Sequence, residues 1–492
     1  MTILEMQAAM TAGLGSSRWL VSMYLDRIEM LDRSGPRLNS IIELNPDALE
    51  IADQLDAERK ASGPRGPLHG IPVVVKDNLD TGDKMMTTAG SLALQGNYAP
   101  RDSHAVKLLR DAGAVILAKA NLSEWANYRS TRSTSGWSSR GGRTLFPYAL
   151  DRNPSGSSSG TGVAVAASLC AAGVGTETTG SIVAPSSRNG LVGIKPTVGL
   201  ISRRGIIPIS RTRDTAGPMT RTVEDCAVLF DAMCGEDPED EFTAGTAGRL
   251  PSAQAALSVT ALQGKRIGVV RNLLNREARV DRLIDAVVAV LRQLGAEVVD
   301  ELSLELTPEF RKVMAASTPY EFKHGINEYL ASVNAPAKTL SDIIAFNQAN
   351  AGHAMPYFGQ ERLIEADAYG PISSPAYQES MEEGRRLARE LIDAPLRELR
   401  LDALIGPTNL PANLTDLVNG DYRAMANDLT TPAAVAAYPH VTVPCGDIHG
   451  LPIGLSLVGT AFDDVKLLSY AYAYEQATKL RKPPTFPETI RV

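Results

Sequence analysis

The sequence predicts a layered α/β protein, and three observations carry that expectation. Short β-branched runs recur along the chain, as in Ile71–Val75 and Ala114–Ala118. Helical patterns that stop at a glycine stand before such runs: His104–Ala112 precedes Gly113 and the 114–118 run, and a helix reaching Gly295 precedes Ala296–Val299. Alternation of this kind builds a sheet covered by helices on both faces. Finally, the 492 residues are 44% hydrophobic, enough for a large core, with no internal repeat or low-complexity linker to divide them. One large α/β unit spanning 1–492 is the expected organisation.

Taken in order, residues 1–60 read as helical. Trp19, Leu20, Met23, Tyr24, Ile28 and Leu31 fall at spacings of three and four, a stripe facing the core. A Gly/Pro cluster, Ser62–Pro67, ends that region. Ile71–Val75 then reads as a buried strand that delivers Lys76 to its end. The stretch NLSEWANYRSTRSTSGWSSRGG, from Asn121, is polar with aromatics and glycines, and reads as a long surface loop or substrate-facing rim. Two small-residue loops, Ser155–Gly162 and Gly175–Ser181, bracket the apolar run Val163–Ala172. Thr222 caps a helix with an acidic first turn. Residues 235–262 read as a surface excursion, 264–272 as a strand, and about 308–400 as a mostly helical insertion. Asp402–Pro407, Val441–Pro444 and Gly454–Gly459 are further expected strands, with a last helix from near Asp463.

Composition removes several function classes. The net charge is −7, and no basic cluster is dense enough to grip nucleic acid. Arg203, Arg204, Arg211 and Arg213 form a short run expected to be solvated or paired within the fold. Cys170, Cys226, Cys234 and Cys445 are scattered without a C-x-x-C pair, so neither a zinc knuckle nor a redox motif is indicated. No metal and no cofactor are expected. No stretch reaches the ~20 apolar residues that span a bilayer, and the start lacks the basic-then-apolar pattern of a secretory signal. The expectation is a soluble, cytoplasmic monomer or homodimer that engages neither membrane nor nucleic acid.

The chemistry concentrates in Asn153–Thr197, with Lys76 upstream. Ser157 and Ser181 sit in glycine-rich loops, whose backbone can approach a ligand and aim N–H groups at it. Lysine ionises near 10.4, so a half-neutral amine near pH 7.5 costs about 4 kcal/mol, which burial without a carboxylate partner supplies. Asp77 is adjacent in sequence but on a strand faces the other side. A neutral lysine can accept a proton from a serine, so Lys76, Ser157 and Ser181 together suggest covalent catalysis without histidine. Two other readings fit poorly. GSSSG at 156–160 has the form of a nucleophile elbow centred on Ser158, but no Ser…Asp…His series follows it, and the six histidines lie in unrelated contexts. No phosphate-cradling G-x-x-x-x-G-K-[ST] occurs.

HGIPVVVKDN, NPSGSSSGTGVAVA, GTETTGSIVAPSSRNGLVGIKPTVGL, DTAGPMTRTVEDCA and VTVPCGDIHGLPIGLSLVGTAF together resemble the amidase signature family. NLSEWANYRS, GWSSRGG and GIKPTVGLISRRGIIPIS are similar, more narrowly, to its bacterial peptide amidases. The resemblance implies a large mixed sheet flanked by helices. It implies Ser181 as nucleophile, Ser157 as bridge to Lys76 next to an unusual cis peptide, and the N–H groups of Thr178, Thr179, Gly180 and Ser181 as oxyanion hole. It implies Asn127 and Trp137 on the substrate side, and hydrolysis of C-terminal peptide amides to acid and ammonia. Thr179, Val183, Ser155 and Ser159 depart from common family residues, which bears on specificity and not on reaction type. Aryl amides, carbamates or esters are alternative substrates. The ammonia-supplying amidotransferase component of a tRNA-dependent transamidase shares the motif, and a catalytically dead binding module is disfavoured by the intact Lys76, Ser157 and Ser181.

Overall fold

The computed structural model describes residues 1–273, 277–421 and 429–490. The sequence leads us to expect pocket walls from the 127–143 loop and the 308–440 region, and residues 422–428 of the latter lie outside the described residues. In chain order the strands are β1 (Ile41–Leu44), β2 (Pro72–Lys76), β3 (Val115–Ala120), β4 (Trp137–Ser138), β5 (Gly142–Arg143), β6 (Ala172–Glu177) and β7 (Val192–Lys195). They continue with β8 (Thr215–Thr220), β9 (Arg266–Val270), β10 (Glu297–Leu302), β11 (Ala403–Pro407), β12 (His440–Ile448) and β13 (Leu451–Val458). β4 and β5 form a small hairpin, and the rest make one 11-stranded sheet in the order β1-β3-β2-β6-β8-β7-β12-β13-β11-β9-β10.

The sheet is mixed. β2 runs parallel to both β3 and β6, whereas β6 meets β8 antiparallel. Val73, Val74 and Val75 are wholly buried, as a strand covered on both faces requires. Each such side chain contributes about 1.5–3 kcal/mol by leaving water. Helices pack against the sheet: the N-terminal pair and His104–Asp111 belong to one core cluster, Ala278–Gln293 and Asp464–Thr478 to a second, and Val223–Met233 contributes to both. Between β2 and β6 in the chain lies the short helix Ser159–Ala166, buried along its whole length. Gly160 explains how it fits. A Cβ there would run into the backbone oxygens of Ser40 and Asn121, and its own N–H donates to Asn121 O at 2.9 Å.

Three local expectations change. Residues 1–60 are not all helical: Ile41–Leu44 is an edge strand paired antiparallel with β3. In the stripe, Leu20, Tyr24 and Ile28 are buried but Trp19 is 43% exposed. It stands about 100° around the helix from Leu20, and the buried face is completed instead by Ser17 and Val21. The 235–262 excursion is partly inward-facing, because Asp237 and Asp240 are buried under the arginine run. Arg204 pairs with Asp237 at 2.8 Å, Arg203 with Asp240, and Arg211 with Glu241. Residues 308–398 are mostly helical, in separate helices from Pro308–Ala316 to Pro375–Glu398. No helix among the described residues is long and apolar enough to cross a membrane.

Candidate active site

β2 carries Lys76 inward at its C-terminal end, and the amine is fully buried. Its Nζ donates to Ser157 Oγ at 2.7 Å, to Thr176 Oγ1 at 2.9 Å and to Thr176 O at 3.2 Å. Burial pushes the amine down to about 7, against the raising influence of Asp214 and then Glu177. Among the described residues, no carboxylate lies within ion-pair distance of it. Strand alternation turns Asp77 the other way, where it accepts from Gly90 N at 3.1 Å and lies 3.8 Å from Lys119. These two buried lysines, of the three fully buried among the described residues, therefore differ in kind: Lys119 has a carboxylate neighbour, whereas Lys76 has hydroxyls and a carbonyl.

Ser157 is wholly buried, follows a cis Gly156–Ser157 peptide, and its carbonyl accepts from Ser123 N at 3.1 Å. Ser158 N–H donates to Ser181 O at 3.3 Å, which brings the two serine loops together one residue beyond Ser157. Ser181 retains 8% exposure. Its loop, 178–182, is held from beneath by Glu177. One carboxylate oxygen accepts Gly180 N at 2.7 Å, and the other accepts Ile182 N at 2.7 Å and Val183 N at 3.1 Å. Burial raises the Glu177 carboxyl, and Lys195 with the three N–H groups opposes that rise. Gly180 has φ +79°, a backbone shape that glycine adopts without strain.

Glu177 bears on one expectation. Of the four N–H groups expected to line an oxyanion hole, that of Gly180 donates to the Glu177 carboxylate. Among the described residues, the N–H groups of Thr178, Thr179 and Ser181 have no protein acceptor. Sequence reasoning missed Thr176, Glu177 and Asp214. Once β6 is known to be a strand that ends in Thr-Glu and runs on into Thr178, alternation puts the two threonines on one face and the glutamate on the other.

The 121–142 stretch is not a surface loop. Leu122, Trp125, Arg129 and Ser138 are buried, and the segment is pinned to residues 351–361 of the helical stretch. Arg129 pairs with Glu124 at 2.7 Å and donates to the carbonyls of Ala354, Phe358 and Gly359. Trp137 meets Tyr357 and Phe358 edge-on, with the Arg129 guanidinium 5.1 Å from its ring centre. Asn127 donates weakly to Ser135 Oγ at 3.4 Å, and its Oδ1 is buried without a partner. Ser135 Oγ in turn sits 3.0 Å from where a Cβ on Gly156 would be, so Asn127 is two steps from Ser157. The polar composition suggested solvent, but the polar atoms are matched to backbone carbonyls inside the protein. Arg129→Ala should cost about 3–5 kcal/mol by stranding Glu124. Urea unfolding checks this, and a loss below about 1 kcal/mol would show that the loop is held by other contacts.

A mixed 11-stranded sheet that presents a buried Lys–Ser pair beside a second serine loop defines the class. The Amidase family model matches residues 20–468, and the chain belongs to that family; it is an amide-hydrolysing enzyme. It is similar to the native peptide amidase of Stenotrophomonas maltophilia, with 48% identity, a TM-score of 0.95 and coverage of 99% of this chain and 98% of that one. A "probable amidase" of Arabidopsis thaliana is 39% identical over 99% of this chain and 91% of its own length. A glutamyl-tRNA(Gln) amidotransferase chain of Symbiobacterium thermophilum is 35% identical over 92% of each.

Proposed function

We propose that this chain hydrolyses the C-terminal amide of peptides to the free acid and ammonia, through an acyl-enzyme on Ser181. The observation that carries the reading is the 2.7 Å hydrogen bond between a fully buried Lys76 amine and Ser157 Oγ. As the amine loses its proton near pH 7, it accepts the Ser157 proton while Ser157 Oγ takes that of Ser181. Ser181 Oγ then attacks the amide carbon, and the carbonyl electron pair moves onto oxygen. Three N–H groups, of Thr178, Thr179 and Ser181, receive that charge. Each such donor is typically worth about 3–4 kcal/mol. The proton returns through Ser157 to the leaving nitrogen, ammonia departs, and water attacks the ester by the same relay in reverse.

Substrate choice rests on the similarity to a peptide amidase at 48% identity, against 35% for the amidotransferase chain. Asn127 Oδ1 is the polar group we assign to the peptide backbone of the substrate. Trp137 supports the loop from behind, because its ring is packed against Tyr357 and Phe358. The reading requires a closed end beyond Ser181 that admits only the small –NH2 leaving group, so that an internal peptide bond clashes. The test offers the purified chain one peptide as its amide, and the same sequence extended by two residues. Ammonia should come from the first, with cleavage of the second about 10²-fold slower or more. Faster turnover of an anilide, a carbamate or an ester would reassign the substrate class while leaving the serine chemistry in place. Failure to release ammonia from any amide without partner chains would favour the transamidase reading.

A further inference from the structure

The antiparallel register of β6 and β8 places Thr176 opposite Ala216 and Glu177 opposite Thr215. One step further, Thr178 stands opposite Asp214, and the contact is made: Thr178 Oγ1 donates to Asp214 Oδ1 at 2.5 Å. Side chains two apart on a strand share a face. Thr176, whose hydroxyl accepts from Lys76, thus points to the same side as Thr178 and Asp214. The other carboxylate oxygen of Asp214 accepts Ile209 N at 2.7 Å and Ser210 N at 2.9 Å. Asp214 is only 7% exposed. It therefore bonds the loop bearing Ser181 to the 209–210 turn, and it lies on the Lys76 side of the sheet.

We propose that Asp214 is a positioning residue for the amide hydrolysis: its carboxylate fixes Thr178 at the start of the nucleophile loop and places a negative charge within the field of the Lys76 amine. The inference rests on the reading of Lys76 as the base. Two carboxylates influence that amine, Asp214 and, on the opposite face of β6, Glu177. Facing Asp214 are the Thr178 hydroxyl, the buried Arg213 guanidinium next to it in the chain and, from the helical stretch, Glu321, whose charge disfavours ionisation of Asp214. Glu321 itself is occupied by Ser210, Thr212 and Tyr377. Burial pushes Asp214 up to about 6, so it is mostly ionised where Lys76 reaches half neutrality. The charge opposes the effect of burial on the lysine and keeps the amine basic enough to accept a proton from serine.

The two roles separate by mutation. Asp214→Asn keeps the size and removes the charge. The acid limb of kcat/KM for a peptide amide should move to lower pH by about half a pH unit or more, with kcat reduced about tenfold or more through the loosened loop. Thr178→Val removes the hydrogen bond and leaves the charge. It should lower kcat by a similar factor with the acid limb in place. Asp214→Glu, which restores a carboxylate, should return the limb toward its native position. If Asp214→Asn does not yield folded protein, Thr178→Val and Asp214→Glu carry the test alone. An unmoved limb in Asp214→Asn, a limb displaced downward in Asp214→Glu, or native kcat in Thr178→Val would each overturn the proposal. Lys76→Arg, measured alongside, keeps the readings apart. Loss of activity there with no shift in Asp214→Asn defeats only the role of Asp214, whereas retained activity there defeats Lys76 as base.

Discussion

Lys76→Arg should lower kcat for a peptide amide by about 10³-fold or more, and the acid limb of the pH profile should vanish with it. A guanidinium stays protonated and cannot accept a proton from Ser157. A positioned general base contributes typically about 10²–10⁴-fold, and here the same group also activates the second half-reaction. The sign of the native profile follows from the cause of the shift. Burial disfavours the charged ammonium and brings its ionisation down to about 7, so the competent neutral amine accumulates as pH rises through that value. Below it, activity should fall about tenfold per pH unit, as the apparent ionisation of a coupled Lys76–Ser157 pair. Steady-state kinetics over a pH series measures both effects. A variant with near-native kcat and an unchanged acid limb would remove lysine from the mechanism.

Ser181→Ala should abolish covalent labelling by a fluorophosphonate and reduce turnover on the order of 10⁶-fold. Only the nucleophile can form that adduct, and intact-protein mass spectrometry reads it directly. Ser157→Ala is the informative companion. It breaks the 2.7 Å link to Lys76 but leaves Ser181 in its loop, so labelling should slow severely without changing its site. An adduct of unchanged rate in Ser181→Ala would place the nucleophile elsewhere, and peptide mapping would show where.

The layered α/β class was readable because β2 and β3 are written in valine, isoleucine and leucine, and because helices between strands end at glycines. Strands β6, AGVGTE, and β8, TAGPMT, were not read as strands at all. Their glycines, alanines and proline carry little intrinsic preference, and the ladder is imposed by neighbours already in place. Of the candidate site, Lys76, Ser157 and Ser181 were named from motif and order, and the structure puts Lys76 in contact with Ser157. Glu177 and Asp214 escaped notice because each acts through a partner far away in sequence or through backbone N–H groups, which no side-chain pattern reports. The 121–142 stretch misled for a related reason. Composition tells whether residues are polar, but not whether their partners are water or carbonyls such as those of Ala354 and Phe358.

The end of β6 also behaves like a phased code. Thr176 and Thr178 speak to Lys76 and Asp214 on one face, and Glu177 grips the nucleophile loop on the other. Losing or gaining a single residue there would invert the phase, turning the acid toward the base and the hydroxyls toward the loop. Chain length in this segment is thus under tighter constraint than residue identity. A library that varies side chains at 176–178 should contain survivors, while one that varies its length by one should contain none with measurable amide turnover.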